Sequence, residues 1–172
     1  MNILYIGRFQ PFHCGHLDAI AQIFEQNKEL TKLYIGIGSA ETNFMPKNPL
    51  TAGERFEIIE NAMQEMEIPS DKYAIVPIRN IDHYALWPNH VQQYLPKIHN
   101  FYSGSPLVLQ LWKKSFPDTN IHQIKKRKEI SGTCVRKKIL AGEDLEGFCL
   151  ESVQNILEEK KIKQRLEDMR TG

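Results

Sequence analysis

The first two dozen residues constrain the fold more than any other stretch of the chain. An apolar run from Asn2 to Ile6 stops at Gly7, and a helical pattern with Leu17, Ile20, Ala21 and Phe24 on one face begins just after His16. Strand, tight loop and helix in that order bring the strand's carboxyl end beside the helix's amino end. Unpaired backbone N–H groups and a partial positive charge then face one crevice, which suits a phosphate. Gly7 and Gly15 permit close approach of backbone to ligand, Pro11 stiffens the connection, and His13 and His16 can aim their donors the same way. The same histidine pair is open to two other readings, half of a metal site or ordinary packing residues. The loop lacks Gly-x-Gly-x-x-Gly spacing, so a dinucleotide fold of that type is not supported.

A chain of 172 residues is long enough for one domain without staples, burying about two thirds of its unfolded surface. Lysine and arginine number 22 against 21 acids, so no global field marks a nucleic-acid coat or a membrane-surface protein, and local basic clusters must carry any anion binding. The three cysteines, Cys14, Cys134 and Cys149, form no Cys-x-x-Cys pair, which argues against a disulfide framework and a zinc ribbon. A strand begins within two residues of Met1, no charged-then-apolar leader precedes it, and no apolar run approaches a membrane span. A soluble, cytoplasmic protein with neither nucleic acid nor membrane as a partner is expected.

Further along, Lys32 to Gly38 reads as a second, buried strand, and Ser39 to Leu50 as a loop leaving its carboxyl end, the ligand edge of an open α/β sheet. Lys47 in that loop can reach a phosphate or simply stay solvated. Thr51 and Glu54 form a capping box ahead of a helix with Phe56, Ile59, Met63 and Met66 at helical spacing. A third strand, Tyr73 to Ile78, leads to an irregular stretch, Arg79 to Pro88, in which Asp82, His83, Tyr84 and Trp87 suit either a pocket wall for a flat ring or ordinary core. Asn89 to Leu95 fits a short helix. Asn100 to Ser103 is a fourth strand, followed by Ser105 as N-cap, Pro106 at the first helical position and a helix to about Ser115. Asn120 to Ile124 is a weaker fifth strand.

Lys125 to Lys128 is a basic run, by default a solvated face. Beyond it, Ser131 and Thr133 open a helix that closes at Gly142. Their hydroxyls serve either as caps or as anion ligands, and Arg136, one turn in, can turn its planar fork back toward an anion at the helix end. Ser152 to Arg170 reads as an amphipathic helix or helix pair with a structural role. The fold expected is α/β, a Rossmann-like doubly wound parallel sheet of about five strands with helices on both faces. Residues 1–172 form one domain, with 1–145 as the α/β core and 146–172 as a C-terminal helical segment.

Gly7-Arg8-Phe9-Gln10-Pro11-Phe12-His13-Cys14-Gly15-His16, together with Ile130-Ser131-Gly132-Thr133-Cys134-Val135-Arg136, resembles the paired signatures of the nucleotidylyltransferase superfamily. Within it, Gly38-Ser39-Ala40, the stretch from Lys47 to Arg55, Ala85-Leu86-Trp87 and Ser103-Gly104-Ser105-Pro106-Leu107-Val108 resemble the archaeal-type nicotinamide-nucleotide adenylyltransferases, over roughly residues 1–160. The resemblance implies synthesis of NAD and pyrophosphate from nicotinamide mononucleotide and ATP, with Mg2+ accompanying the ATP phosphates and no metal-binding side chain assigned.

It also implies roles. His13 and His16 would hold the α and β phosphates; Arg8, Ser131, Thr133 and Arg136 would hold the β and γ phosphates. Gly7, Phe9, Gly104, Ser105, Pro106 and Val108 would complete the ATP side. Ser39, Lys47, Ile81, Tyr84 and Trp87 would face the mononucleotide, with Trp87 stacked on the pyridine ring and backbone near Ile81 and Trp87 reading the amide. The family often has Arg where Lys47 stands and Asn where Tyr84 stands, so the choice between nicotinamide and nicotinate stays open. Related enzymes form homo-oligomers, and the same is expected here. No Nudix hydrolase domain follows, so no second activity is expected. Three other readings are pantetheine-phosphate or cytidylyl transfer within the superfamily, a non-catalytic nucleotide sensor, and a class I aminoacyl-tRNA synthetase, which the missing Lys-Met-Ser-Lys-Ser segment argues against. Cys14 and Cys134, each beside a helix N-terminus, are candidate reactive thiols whose modification would inhibit, with small packing residues as the plainer alternative.

Overall fold

The computed structural model describes residues 1–125, 127 and 129–171; of the basic run, Lys126 and Lys128 lie outside the described residues. Five strands, β1 (Asn2–Gly7), β2 (Lys32–Ile37), β3 (Tyr73–Pro77), β4 (Asn100–Ser103) and β5 (Asn120–Gln123), lie in the order β3-β2-β1-β4-β5. Every pairing is parallel. The chain runs outward from β1 through β2 to β3, then returns to the other side of β1 for β4 and β5. The connections therefore leave in opposite directions at β1, and a crevice opens there beyond the strand carboxyl ends.

Alternating residues of β1 feed two cores. Ile3 and Tyr5 join the cluster made with α1 (Cys14–Gln26), α2 (Ala52–Glu65), α5 (Gly132–Ala141), α6 (Glu151–Glu159) and α7 (Ile162–Thr171). Leu4 and Ile6 join the cluster made with α3 (Trp87–Gln92) and α4 (Pro106–Ser115), centred on Phe101 and Trp112. Burial on both faces is why β1 and β2 read as nearly unbroken apolar runs, while the edge strand β5, Asn-Ile-His-Gln, does not. The Thr51–Glu54 capping box is present in both directions, Glu54 N–H to Thr51 Oγ1 at 3.1 Å and Thr51 N–H to Glu54 Oε2 at 2.8 Å, an arrangement worth about 1 kcal/mol. Val153, Ile156 and Leu157 of α6 and Ile162 and Leu166 of α7 enter the first core, so the C-terminal helices pack onto the sheet assembly rather than away from it. Among the described residues no helix is long and apolar enough to cross a membrane.

Several details differ from expectation. Helix α1 begins at Cys14 rather than after His16, because His13 itself is the N-cap. Its buried positions include Ala19, Ile20 and Ile23, while Ala21 points outward. In α2 the buried stripe is Arg55, Ile58, Ile59, Ala62 and Met63, leaving Phe56 and Met66 exposed. Trp87 opens α3 instead of ending a loop, and α3 stops at Gln92. Gly38, Ile78 and Ile124 lie just past the strands they were expected to close.

Candidate active site

The turn after β1 is built on its two histidines. Gly15 N–H donates to His13 Nδ1 at 3.1 Å, and His13 N–H donates to His16 Nδ1 at 3.2 Å. The rings stack with centroids 3.8 Å apart, over an aromatic floor in which Phe9 meets His16 edge-on at 4.8 Å and Phe12 stacks on it at 5.3 Å. Burial lowers the His13 pKa to about 4. Burial, followed by the neighbouring His13 ring, holds His16 well below the ordinary imidazole range. Both rings are therefore neutral near pH 7. With each Nδ1 accepting a backbone N–H, the ring proton sits on Nε2, which is left to donate.

This revises the expected origin of the donors. Cys14 N–H donates to Phe148 O, Gly15 N–H to His13 Nδ1, and His16 N–H to His13 O. The first N–H groups of α1 are thus used internally, and the turn offers imidazole N–H instead of bare backbone. Phe9 also differs: it is 1% exposed with its ring in the floor, so only its backbone, at φ 50°, can face a ligand.

The turn opening α5 lies against the first. A Cβ on Gly132 would sit 2.7 Å from Gln10 O, and one on Gly15 would sit 3.4 Å from Ile130 O, so both glycines mark real backbone contact between the turns. Ser131 Oγ accepts Cys134 N–H at 3.2 Å as N-cap. Arg136 turns toward the helix start and there meets protein groups, donating Nη1 to Gln10 O at 2.6 Å and Nη2 to Thr133 Oγ1 at 3.1 Å. Burial, and after it the charge of Arg8, lowers the Arg136 pKa. Two guanidinium groups near enough to repel one another favour an anion between them. Arg8 is exposed, as such a ligand requires.

A cavity of about 250 Å3 joins these pieces. Its walls include His13 and His16 from the first turn, Ser131 and Gly132 from the second, and Gly104 at the end of β4. Ser105 caps α4, its Oγ 3.5 Å from Val108 N–H, with Pro106 in the first turn; Val108 packs partly into the second core. Arg127 is drawn to α1 by Asp18 at 3.5 Å and Glu25 at 3.1 Å, so this part of the basic run closes one side of the cavity as ion pairs. No group of three or more His, Cys, Asp or Glu gathers among the described residues to hold a metal ion.

On the other side of β1, Lys47 is exposed on the turn between Met45 and Asn48, whose backbones bond each other at 3.2 and 2.9 Å. Ser39 has φ 49° and is half-buried. Ile81 is half-buried, Tyr84 is 74% exposed, and Trp87 meets Trp112 edge-on at 6.4 Å. Trp87 is thus part core and part surface. Leu86, beside it, is exposed.

Two buried polar residues went unassigned in the sequence. Gln10 donates Nε2 to Leu50 O at 2.8 Å and accepts Leu50 N–H at Oε1 at 2.9 Å, tying the first turn to the Lys47 loop. Arg55, only 1% exposed, donates to the carbonyls of Thr51, Arg8, Gly38, Ser39 and Ala40. Burial lowers its pKa to about 10, against the pull of Glu41. Its helical spacing with Ile58, Ile59 and Ala62 was the available signal.

Comparison with known proteins identifies the family. The family model described as cytidylyltransferase-like matches residues 4–138. The chain is 34% identical over 169 residues to a nicotinamide-nucleotide adenylyltransferase of Pyrococcus horikoshii, covering 98% of this chain and 89% of the relative. It is 37% identical over 172 residues to the enzyme of that name from Archaeoglobus fulgidus, covering 98% and 97%. In fold it resembles the crystal structure of a bifunctional NMN adenylyltransferase/ADP ribose pyrophosphatase from Francisella tularensis, with TM-score 0.80 and 24% identity. That likeness covers 98% of this chain and 52% of the other, so this chain spans about half the length of that structure. The chain belongs to the cytidylyltransferase-like family and, within it, to the nicotinamide-nucleotide adenylyltransferases.

Proposed function

We propose that this chain joins the adenylyl group of ATP to nicotinamide mononucleotide, giving NAD and pyrophosphate. The observation that carries the reading is the meeting of two phosphate-directed turns, one offering two neutral imidazoles and the other a hydroxyl-lined helix start with Arg136. A phosphate monoester has a second pKa of about 6, so the mononucleotide is largely dianionic near neutrality and attacks without a general base. One of its phosphate oxygens bonds to the α-phosphorus of ATP, the bond from that phosphorus to the β-bridging oxygen breaks, and pyrophosphate leaves with the electron pair. The protein positions the two anions and stabilises the charge that gathers on the departing group.

His13 and His16 donate Nε2–H to the α and β phosphates. Being neutral, each keeps its one ring proton on Nε2 and hydrogen-bonds a phosphate without bringing a formal charge. Arg8, Arg136, Ser131 and Thr133 receive the β and γ phosphates, Arg136 exchanging Gln10 O and Thr133 for the anion. Gly7, the Phe9 backbone, Gly104, Ser105, Pro106 and Val108 border the rest of ATP. Ser39, Lys47, Ile81, Tyr84 and Trp87 border the mononucleotide, with Lys47 at its phosphate and Trp87 against the pyridine ring. The donor set fits a divalent ion that arrives ligated by the triphosphate, since Asp18, the acid beside the histidines, is engaged by Arg127. When bound in that way, magnesium would supply positive charge beside the departing pyrophosphate. We infer a cytoplasmic homo-oligomer that acts on free nucleotides, with neither nucleic acid nor membrane as a partner.

The test is to mix the protein with ATP, magnesium and a panel of mononucleotides and to follow dinucleotide and pyrophosphate together. The expected product is NAD with nicotinamide mononucleotide. No product with either pyridine mononucleotide would overturn the reading.

A further inference from the structure

The loop carrying Lys47 is fastened from two sides. Arg55 and Gln10 hold its two ends near the sheet, at Gly38 to Ala40 and at Leu50. The outer part is a tight hairpin, closed by the paired backbones of Met45 and Asn48, with Pro46 and Lys47 at its tip. A different element grips that hairpin. Arg165 of α7 donates Nη1 to Pro49 O at 3.0 Å and to Glu54 Oε2 at 2.8 Å, and Nη2 to Glu54 Oε1 at 2.7 Å. Its guanidinium carbon also lies 4.8 Å from the centroid of the Phe44 ring.

Phe44 leads into the hairpin and Pro49 leads out, so one guanidinium touches both legs while anchored on the capping carboxylate of α2. That anchor is well shielded, the two side chains being 20% and 14% exposed. Burial works to raise the Glu54 pKa, but the Arg165 and Thr51 hydrogen bonds outweigh it and lower it, so the carboxylate stays charged. The grip is rigid at its other end too, because Ile162 and Leu166 fix α7 in the first core. Lysine is a point charge on a flexible stem, without the geometric fork of arginine. The hairpin backbone therefore sets the region that the Lys47 ammonium can reach, since the side chain has no fork of its own to fix it.

We propose that Arg165 is a positioning residue for the mononucleotide, acting through the Phe44–Pro49 hairpin on Lys47; this rests on the reading that Lys47 meets the mononucleotide phosphate. The C-terminal helix, which follows the last recognised motif in the chain, is in this way a working part of one substrate site and not the other.

Initial rates over both substrates test this with Arg165→Ala, Arg165→Lys, Phe44→Ala, and Lys47→Ala alone and combined with Arg165→Ala. Arg165→Ala is expected to raise the mononucleotide KM about tenfold while the ATP KM stays within about twofold. Arg165→Lys recovers part of the loss, since an ammonium pairs with Glu54 but cannot bridge it to Pro49. In the Arg165→Ala background, Lys47→Ala should cost much less than it does alone, the non-additivity of residues acting through one another. Phe44 is 57% exposed, so Phe44→Ala tests the same grip without a core penalty and decides the matter if Arg165→Ala does not fold. Amide exchange across residues 44–50 should quicken in both variants. The inference is overturned if folded Arg165→Ala, or Phe44→Ala in its place, leaves the mononucleotide KM within about twofold or raises both KM values alike. A wild-type protein that makes no dinucleotide overturns the functional reading and this inference together; a working wild type with unmoved variants overturns this inference alone.

Discussion

Gly132→Ala puts a single methyl group between the two turns of the site. The added Cβ would lie 2.7 Å from Gln10 O and 3.2 Å from Arg136 Nη1. A carbon beside a carbonyl oxygen settles at about 3.3–3.6 Å, so roughly 0.6–0.9 Å must be opened. Gln10 resists retreat, because its side chain bonds Leu50 at 2.8 and 2.9 Å and its carbonyl takes Arg136 at 2.6 Å. The start of α5, with Ser131, Thr133 and Arg136, shifts instead relative to the histidines. Catalytic groups tolerate about 0.5 Å of displacement, and about 1 Å costs on the order of a hundredfold. We expect kcat/KM to fall about 10- to 100-fold, or ~1.4–2.7 kcal/mol of transition-state stabilisation, with overpacking costing about 1–3 kcal/mol of fold stability. Gly53→Ala is the control: its Cβ would sit 3.9 Å from Thr51 Oγ1, in ordinary contact, and it should leave the rate unchanged while stabilising α2 by up to about 1 kcal/mol. Pyrophosphate release and thermal melts measure both variants. A folded Gly132→Ala protein within about twofold of wild type would refute the claim that contact between the turns sets the site.

Other outcomes follow from the same contacts. Because burial depresses both histidine pKa values, His13 to about 4, the unfolded chain takes up protons first as pH falls below about 6.5. Their contribution to stability is complete above about 6.5 and is lost as pH falls from there toward 4. Tm against pH should show this slope, and His13→Asn, which keeps an acceptor for Gly15 N–H, should flatten it; an unchanged slope would contradict the assignment. Arg55→Met leaves four loop carbonyls without their buried donor, at about 1–3 kcal/mol for each one that stays unsatisfied, and should cost several kcal/mol in denaturant unfolding, where less than about 1 would contradict its role. A Cβ on Gly104 meets nothing within 4 Å, so Gly104→Val should keep Tm near the wild-type value yet raise the ATP KM about tenfold by narrowing the cavity. Unmoved kinetics would remove Gly104 from the ATP side.

The parts of the fold legible in the sequence were those with local signals. The buried parallel strands declared themselves as apolar runs, the α2 start as Thr51 and Glu54, the α5 limits as Ser131 and Gly142, and the two-sided sheet as alternation of strand and helix. What was hidden depends on contacts between distant residues. An arginine inside an apolar stripe disguised the true face of α2, since four of the carbonyls that satisfy Arg55 come from two distant segments, Arg8 and Gly38 to Ala40. The histidines were visible as a pair, but the fact that they consume the backbone donors of α1 follows only from their Nδ1 geometry. Arg165 carried no motif at all, and its partners Phe44, Pro49 and Glu54 lie more than a hundred residues earlier in the sequence.

The fate of the α-phosphorus tests the central claim most directly. ATP labelled at that position is incubated with magnesium, nicotinamide mononucleotide and either wild-type protein or His16→Ala. In-line attack held by the two turns predicts that all consumed label enters the dinucleotide, with one unlabelled pyrophosphate per NAD, and that folded His16→Ala is slower by a hundredfold or more, on the order of the loss of a preorganised donor. Label released as free adenylate with no dinucleotide, or a folded His16→Ala protein as fast as wild type, would contradict it.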